Sequence, residues 1–167
     1  MHLMQSGTTT TSAATPVPAE RRPHWRPTLI LLVFVGGMGG TLSRFWLDGV
    51  LPAPQGLPLP TLLINLSGSF LLGLLLEALL RAGPDRGKRR MVRLLAGTGF
   101  LGGFTTYSTF TVEAMGLGID GDYWLAAGYV AASLLGGILL SVAGIGLAAA
   151  LTRRRANRGS AAGRASR

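Results

Sequence analysis

Gly99-Phe100-Leu101-Gly102-Gly103-Phe104-Thr105-Thr106-Tyr107-Ser108-Thr109-Phe110-Thr111 is the stretch on which the fold turns. It lies in a run without charge from Leu94 to Val112, yet it holds a Gly-Gly pair and five hydroxyl residues besides Tyr107. Glycine followed by β-branched threonine is poor helix material. A segment apolar enough for a bilayer but weak as a helix is expected to break there, which frees backbone amides and carbonyls. Such groups persist at membrane depth only when buried in protein or lining a polar cavity. Freed carbonyls without carboxylates suit a monovalent cation; freed donors and hydroxyls suit an anion. The plainer alternative is a kinked packing helix whose hydroxyls bond to their own backbone, and the density of polar groups argues against it.

Around this stretch the 167-residue chain is 48% apolar and only 14% charged, well below the roughly 25% charge of soluble domains. Four stretches reach the ~20 residues a membrane helix needs. They are Thr28 to Leu47 with Arg44 as its one charge, Leu57 to Leu80 with Glu77, about Met91 to Ile119, and Tyr123 to Thr152 with none. A soluble bundle would carry a charged stripe on each helix, and none is present. The expected fold is an all-α membrane protein of four transmembrane helices, the third broken mid-membrane. The expected domain limits are a disordered tail over 1–27, a transmembrane domain over 28–152 and a basic disordered tail over 153–167. Arg21-Arg22 before an apolar run resembles a signal peptide, but that run ends in no small-residue cleavage site and three more apolar stretches follow.

Of the sixteen Lys and Arg, all but Arg44 lie in the two tails or between Arg81 and Arg93, and the loops 48–60 and 118–122 hold none. With four spans these basic segments fall on one side. The positive-inside rule puts both termini and the 81–93 loop in the cytoplasm, in a multi-pass protein of the cell membrane. The net charge of +9 thus reads as orientation and attraction to anionic lipid, not as nucleic-acid binding. Cys is absent, and both His (His2 and His24) lie in the tail. That removes thiolate and histidine catalysis, so no enzyme is expected.

Other residues draw attention for the same reason of cost in hydrocarbon. Gly36 and Gly40 form a small-xxx-small pair that lets helices approach, and Gly136, Gly137, Gly144 and Gly146 repeat the theme. Arg44 either snorkels to the headgroups or attracts anions. Asn65 offers two donors and an acceptor, for an interhelical bond or a solute. Tyr129, Ser133, Gly137 and Ser141 recur every fourth residue as a narrow stripe, either a helix contact or a pore wall. Glu113 shares a face with Phe110, as a proton site or a structural group. Glu77 is placed to pair with Arg81 at i+4.

The chain resembles the fluoride channel family known as CrcB or Fluc. The resemblance covers about residues 29–150 and rests on Gly36-Gly37-Met38-Gly39-Gly40-Thr41-Leu42-Ser43-Arg44-Phe45, on Thr61 through Gly73 with Asn65, on Gly99 through Phe110 with Glu113, and on the Tyr129/Ser133 pair. It implies passive efflux of fluoride from the cytoplasm through two pores of an antiparallel, dual-topology-type dimer. It further implies a structural sodium ion held by backbone carbonyls at Gly102 and Thr105. Fluoride-pore residues would be Asn65, Tyr107, Ser108, Thr109, Phe110, Tyr129 and Ser133, with Arg44 in a vestibule. Aromatic rings have positive edges, so Tyr107 and Phe110 offer weak donors suited to a passing anion.

Two departures stand out. The first pore aromatic is Tyr107, not Phe. The charge bias is also strong, with fifteen Lys and Arg on one side and none in the opposing loops. A chain inserting both ways should be balanced, so a heterodimer with an oppositely oriented paralogue is the expectation. Two other functions compete. A small four-helix multidrug or cation exporter needs an acid in its first span, which Thr28 to Leu47 lacks. A non-transporting scaffold would use its glycines only for packing.

Overall fold

The computed structural model describes residues 27–53 and 56–165, with side chains described through Arg154. The tail expected over 1–27 therefore lies, Pro27 apart, outside the described residues. Every regular element among them is helical. Helix α1 spans Pro27–Val50, and proline suits a first helical position because its φ is preset and its missing N–H is not needed. Helix α2 spans Leu59–Ala82 and stops at Gly83, whose φ of 122° is open to glycine and whose N–H returns to the Leu80 carbonyl. A short α3 (Lys88–Val92) leads into a π-helical segment (Arg93–Leu101) and a single turn, α4 (Gly102–Phe104). After two extended residues come α5 (Tyr107–Ile119) and α6 (Tyr123–Ala165).

Three of these, α1, α2 and residues Tyr123–Arg154 of α6, are long and apolar enough to cross a membrane. Residues 88–119 do not form a fourth such helix, because the chain is interrupted inside them. Two boundaries differ from the sequence reading. Helix α1 continues to Val50 and so carries Asp48 in its last turns, which a limit at Leu47 left out. Helix α6 continues to Ala165, through residues whose composition reads as a disordered tail. Nothing after Thr152 forces a stop: the run holds no Pro, and Arg and Ala are strong helix formers.

Glycines set the packing. A methyl added at Gly36 would fall onto the Leu95 carbonyl oxygen, and one at Gly40 onto that of Phe100. Gly103 likewise lies against Gly37. Residue numbers rise together along this seam, so α1 runs parallel to 93–104. On the other side Gly136 meets Leu66, Gly73 meets Ser141 and Gly144 meets Phe70, so α2 and α6 also run parallel. The two pairs oppose each other, since Asn65 bonds Thr106 while Leu72 lies beside Gly97. The chain thus reverses at each turn.

The interior is small. Ile64, Leu101 and Phe104 form its core cluster, with Leu47, Leu75 and Phe100 packed against them, and Tyr129 and Ala148 are buried besides. Outside, Phe45 is 78% and Trp124 91% exposed. Such surface is unfavourable in water by about 25 cal/mol per Å² and is at home against lipid. At the end of α2, the pair foreseen between Glu77 and Arg81 is formed. In the following loop Arg93 grips both oxygens of Asp85 at 2.9–3.1 Å, which holds that exposed carboxyl below the ordinary aspartate range.

Candidate functional site

Two residues make the site. Thr105 (φ −78°, ψ 155°) and Thr106 (φ −141°, ψ 126°) are extended between α4 and α5. What holds them is a side chain from α2: Asn65 Nδ2 donates to the Thr106 carbonyl at 2.8 Å, and the Thr106 N–H donates to Asn65 Oδ1 at 2.8 Å. The amide thus pairs with the peptide as a neighbouring strand would. Gly68, one turn on, admits the Thr105 methyl group, which a Cβ would strike. The new helix is then capped locally, because Thr106 Oγ1 accepts the Thr109 N–H at 3.2 Å and so satisfies one orphan donor of its first turn.

These bonds decide which carbonyls are left over. In a continuous helix the Gly102 carbonyl would take the Thr106 N–H, and that of Thr105 the Thr109 N–H. Both donors are diverted, one to Asn65 and one to the Thr106 hydroxyl. Of the two carbonyls between them in the chain, that of Gly103 accepts from Arg44 Nε at 3.3 Å and Thr41 Oγ1 at 3.4 Å. Arg44 is therefore neither splayed toward the headgroups nor free. Its positive charge sits at the C-terminal end of α4, where helix carbonyls attract cations.

Beside the break lies a groove of about 370 Å³, and six of the ten residues singled out from sequence line it: Asn65, Gly102, Thr105, Tyr107, Phe110 and Ser133. No charged side chain among the described residues borders it. Tyr107 is 79% exposed. The Phe110 ring centroid lies 6.1 Å from that of Tyr107 and 5.3 Å from that of Tyr129. Asn65 uses one of its two amide hydrogens on Thr106, so one remains. Ser133 Oγ is buried without a hydrogen-bond partner.

The other candidates are elsewhere. Ser108 and Thr109 sit in the first turn of α5 and contact the Thr106 hydroxyl, at 3.3 and 3.0 Å. Tyr129 is 7% exposed, and its hydroxyl donates to Glu113 Oε2 at 2.8 Å. The other oxygen of Glu113 accepts from Thr61 Oγ1, also at 2.8 Å. Of the readings open for Glu113, the structure shows a carboxyl fastened between two hydroxyls of α2 and α6.

Thr61, 1% exposed, has no role assigned from the sequence, though a signal for one is there. Thr61, Asn65, Ser69 and Gly73 recur every fourth residue on α2, as Tyr129, Ser133, Gly137 and Ser141 do on α6. The parallel packing sets the two stripes face to face: Thr61 and Tyr129 meet at Glu113, Asn65 and Ser133 share the groove, Ser69 lies by Gly137, and Gly73 by Ser141. The α6 stripe is thus a helix contact along most of its length and a groove wall at Ser133.

Such an all-helical, multi-pass architecture, with an uncharged groove beside an interrupted helix, defines a membrane protein with a polar groove among its helices. Residues 31–145 match the family described as CrcB-like protein, Camphor Resistance (CrcB), and the chain belongs to that family. It is 50% identical over 117 residues to "Fluoride-specific ion channel FluC 1" of Cutibacterium acnes, covering 70% of this chain and 82% of that one. It is 46% identical over 132 residues to "Fluoride-specific ion channel FluC 2" of Leifsonia xyli subsp. xyli, covering 79% and 91%. With "Fluoride-specific ion channel FluC" of Bordetella petrii it shares 43% over 125 residues, covering 75% and 94%.

Proposed function

We propose that the protein is a fluoride channel subunit that lowers cytoplasmic fluoride by passive efflux, and not an exporter, a scaffold or an enzyme. The observation that carries this reading is the uncharged groove held open by the Asn65–Thr106 pair. Fluoride is small and holds its water tightly, so a pore must replace that water with donors. The groove offers the spare Asn65 N–H, the unpartnered Ser133 hydroxyl and the ring edges of Tyr107 and Phe110. Weak donors such as ring edges allow exit as well as entry. Tyr129, Ser108 and Thr109 extend the polar track, Tyr129 through Glu113. An exporter of cations would need an acid in the groove, and Asp48 lies away from it, in the last turns of α1.

Residues 88–119 make the fourth crossing in this reading, with the extended pair at bilayer depth. Chain reversal at each turn supports it, as does the gathering of the 81–93 loop with Thr28 and Leu29 at one end. That end, with both termini, is cytoplasmic by its charge. A structural sodium ion fits the two carbonyls freed by the break. Gly102 and Thr105 would hold it with neutral oxygens, and among the described residues no cluster of acids or histidines competes for it. When bound, the ion supplies a fixed positive charge that braces the interrupted segment. The short chain encloses only an open groove, so the pore is closed by an antiparallel second subunit. The one-sided charge favours a heterodimer, with the oppositely oriented paralogue as partner.

The test is anion efflux from vesicles carrying this chain alone or with an oppositely oriented paralogue, comparing fluoride with chloride, in sodium and in a sodium-free buffer. Fluoride efflux without chloride efflux is expected, dependent on sodium and on the paralogue. Equal passage of both anions would overturn the selectivity. Robust flux from the single chain, with both orientations present, would overturn the heterodimer.

A further inference from the structure

The corner between α2 and α3 has no part in the groove. It holds six basic residues from Arg81 to Arg93, and the structure divides them. Arg81 is paired with Glu77 and Arg93 with Asp85. Arg86, Lys88, Arg89 and Arg90 have no acidic partner among the described residues. Two cavities open here, each of about 430 Å³. One is walled by Leu76, Leu79 and Leu80 from the last turns of α2 and rimmed by Arg89 and Arg93. The other lies between the start of α1 and the loop, and Arg86 and Arg90 border it. Asp85 borders both, with its charge already answered by Arg93. The Arg90 Nε is buried and has no hydrogen-bond acceptor. The one bond of Arg89 is a long 3.4 Å contact to the Pro84 carbonyl.

An apolar wall at the end of α2, rimmed by Arg89 with no acidic partner and adjoining the cavity that Arg90 borders, is complementary to an amphiphile with an anionic head. We propose that this corner is a binding site for one anionic membrane phospholipid. Its phosphodiester is bound by Arg89 and Arg90, and the first carbons of an acyl chain lie against Leu76, Leu79 and Leu80. Guanidinium forks match phosphate oxygens in geometry as well as charge. The site differs from the general attraction of a basic face to acidic lipid, because it assigns the effect to two named residues and to an adjoining apolar wall.

The test is native mass spectrometry of the purified full-length protein, with phosphatidylglycerol, phosphatidylcholine and glycerophosphate, which has the head without tails, as probes. One phosphatidylglycerol per chain is expected to be retained over phosphatidylcholine, with glycerophosphate not retained. Arg89→Gln/Arg90→Gln is expected to weaken retention about thirtyfold, from the typical contribution of a basic residue at an anionic surface. Arg153→Gln/Arg154→Gln, which removes the same charge from the end of α6, outside both cavities, is expected to weaken it by a clearly smaller factor. Equal losses in the two double variants would overturn the site in favour of diffuse attraction. Retention of glycerophosphate as strongly as the lipid would overturn the apolar half. Should the first variant fail to fold, equal retention of phosphatidylglycerol and phosphatidylcholine by the wild-type protein would still overturn the proposal, and selective retention would support it.

Discussion

The seam between α1 and residues 93–104 and the break at Thr105–Thr106 lie side by side, and they bring backbones together in opposite ways. Along the seam, side chains are removed. Gly36, Gly40, Gly99 and Gly103 let main chain touch main chain, so the contact is close but rigid. At the break, a side chain is added. Asn65 stands in for a strand and satisfies the Thr106 peptide that the helix has abandoned. Close packing in a membrane rests on van der Waals contact and cannot tolerate bulk. A polar substitute for secondary structure tolerates bulk better but cannot tolerate a missing donor or acceptor. The first device fixes where the helices are, and the second fixes which backbone groups are left over.

Substitutions can separate these devices. The largest effect is expected at the seam. Gly40→Ala places a methyl on a backbone carbonyl that no rotamer change can move, so its cost should exceed the usual overpacking range of about 1–3 kcal/mol. Folded protein should fail to accumulate, as read by size-exclusion chromatography after extraction. Gly128→Ala in α6, with nothing near its would-be methyl, should behave as wild type. If both alanines are tolerated, the seam is not tightly packed.

Asn65→Ala comes next. It strands the N–H and the carbonyl of Thr106, at about 1–3 kcal/mol for each buried group. A lowered melting temperature and loss of fluoride flux are expected, with assembly preserved. Asn65→Asp sharpens the comparison, since it can still accept the Thr106 N–H but no longer donates to its carbonyl. An intermediate melting temperature is the outcome that fits the paired geometry; one equal to wild type would show that the carbonyl bond contributes nothing. The smallest effect belongs to Thr106→Ala, which deletes the cap of α5 and should cost about 1 kcal/mol. It is measured as a melting shift, with Thr106→Ser expected to restore most of it. A shift for Thr106→Ala as large as that of Asn65→Ala would mean that the cap, and not the amide, holds the break.

Much of this was legible in the residues, and for local reasons. The poor helix propensity of Gly102-Gly103 and Thr105-Thr106 is a property of a few neighbouring residues, so the place of the break could be read directly. The Gly36/Gly40 pair announced close approach, and Glu77 with Arg81 announced an i+4 pair, because each depends only on helical spacing. Other features were not legible. The sequence marks Arg44 as a costly charge in a span but does not disclose its bond to the Gly103 carbonyl 59 residues away. The stripe of Tyr129 is open from sequence to a helix contact or a pore wall, and spacing alone does not disclose that the Tyr129 hydroxyl goes to Glu113. The stripe from Thr61 to Gly73 acquires meaning only once α6 is known to run parallel beside it.

Hydropathy, charge placement and propensity add up residue by residue along the chain, and so the apolar spans, their expected orientation and the weak point of the third stretch follow from order and composition alone. The allocation of hydrogen bonds does not add up in that way. Whether the Gly102 carbonyl keeps its helical donor depends on Asn65 reaching a peptide 41 positions later. That reach is set by the rotation and separation of two helices, to within the few tenths of an ångström over which a hydrogen bond forms or fails. Only the folded arrangement of all the helices determines it.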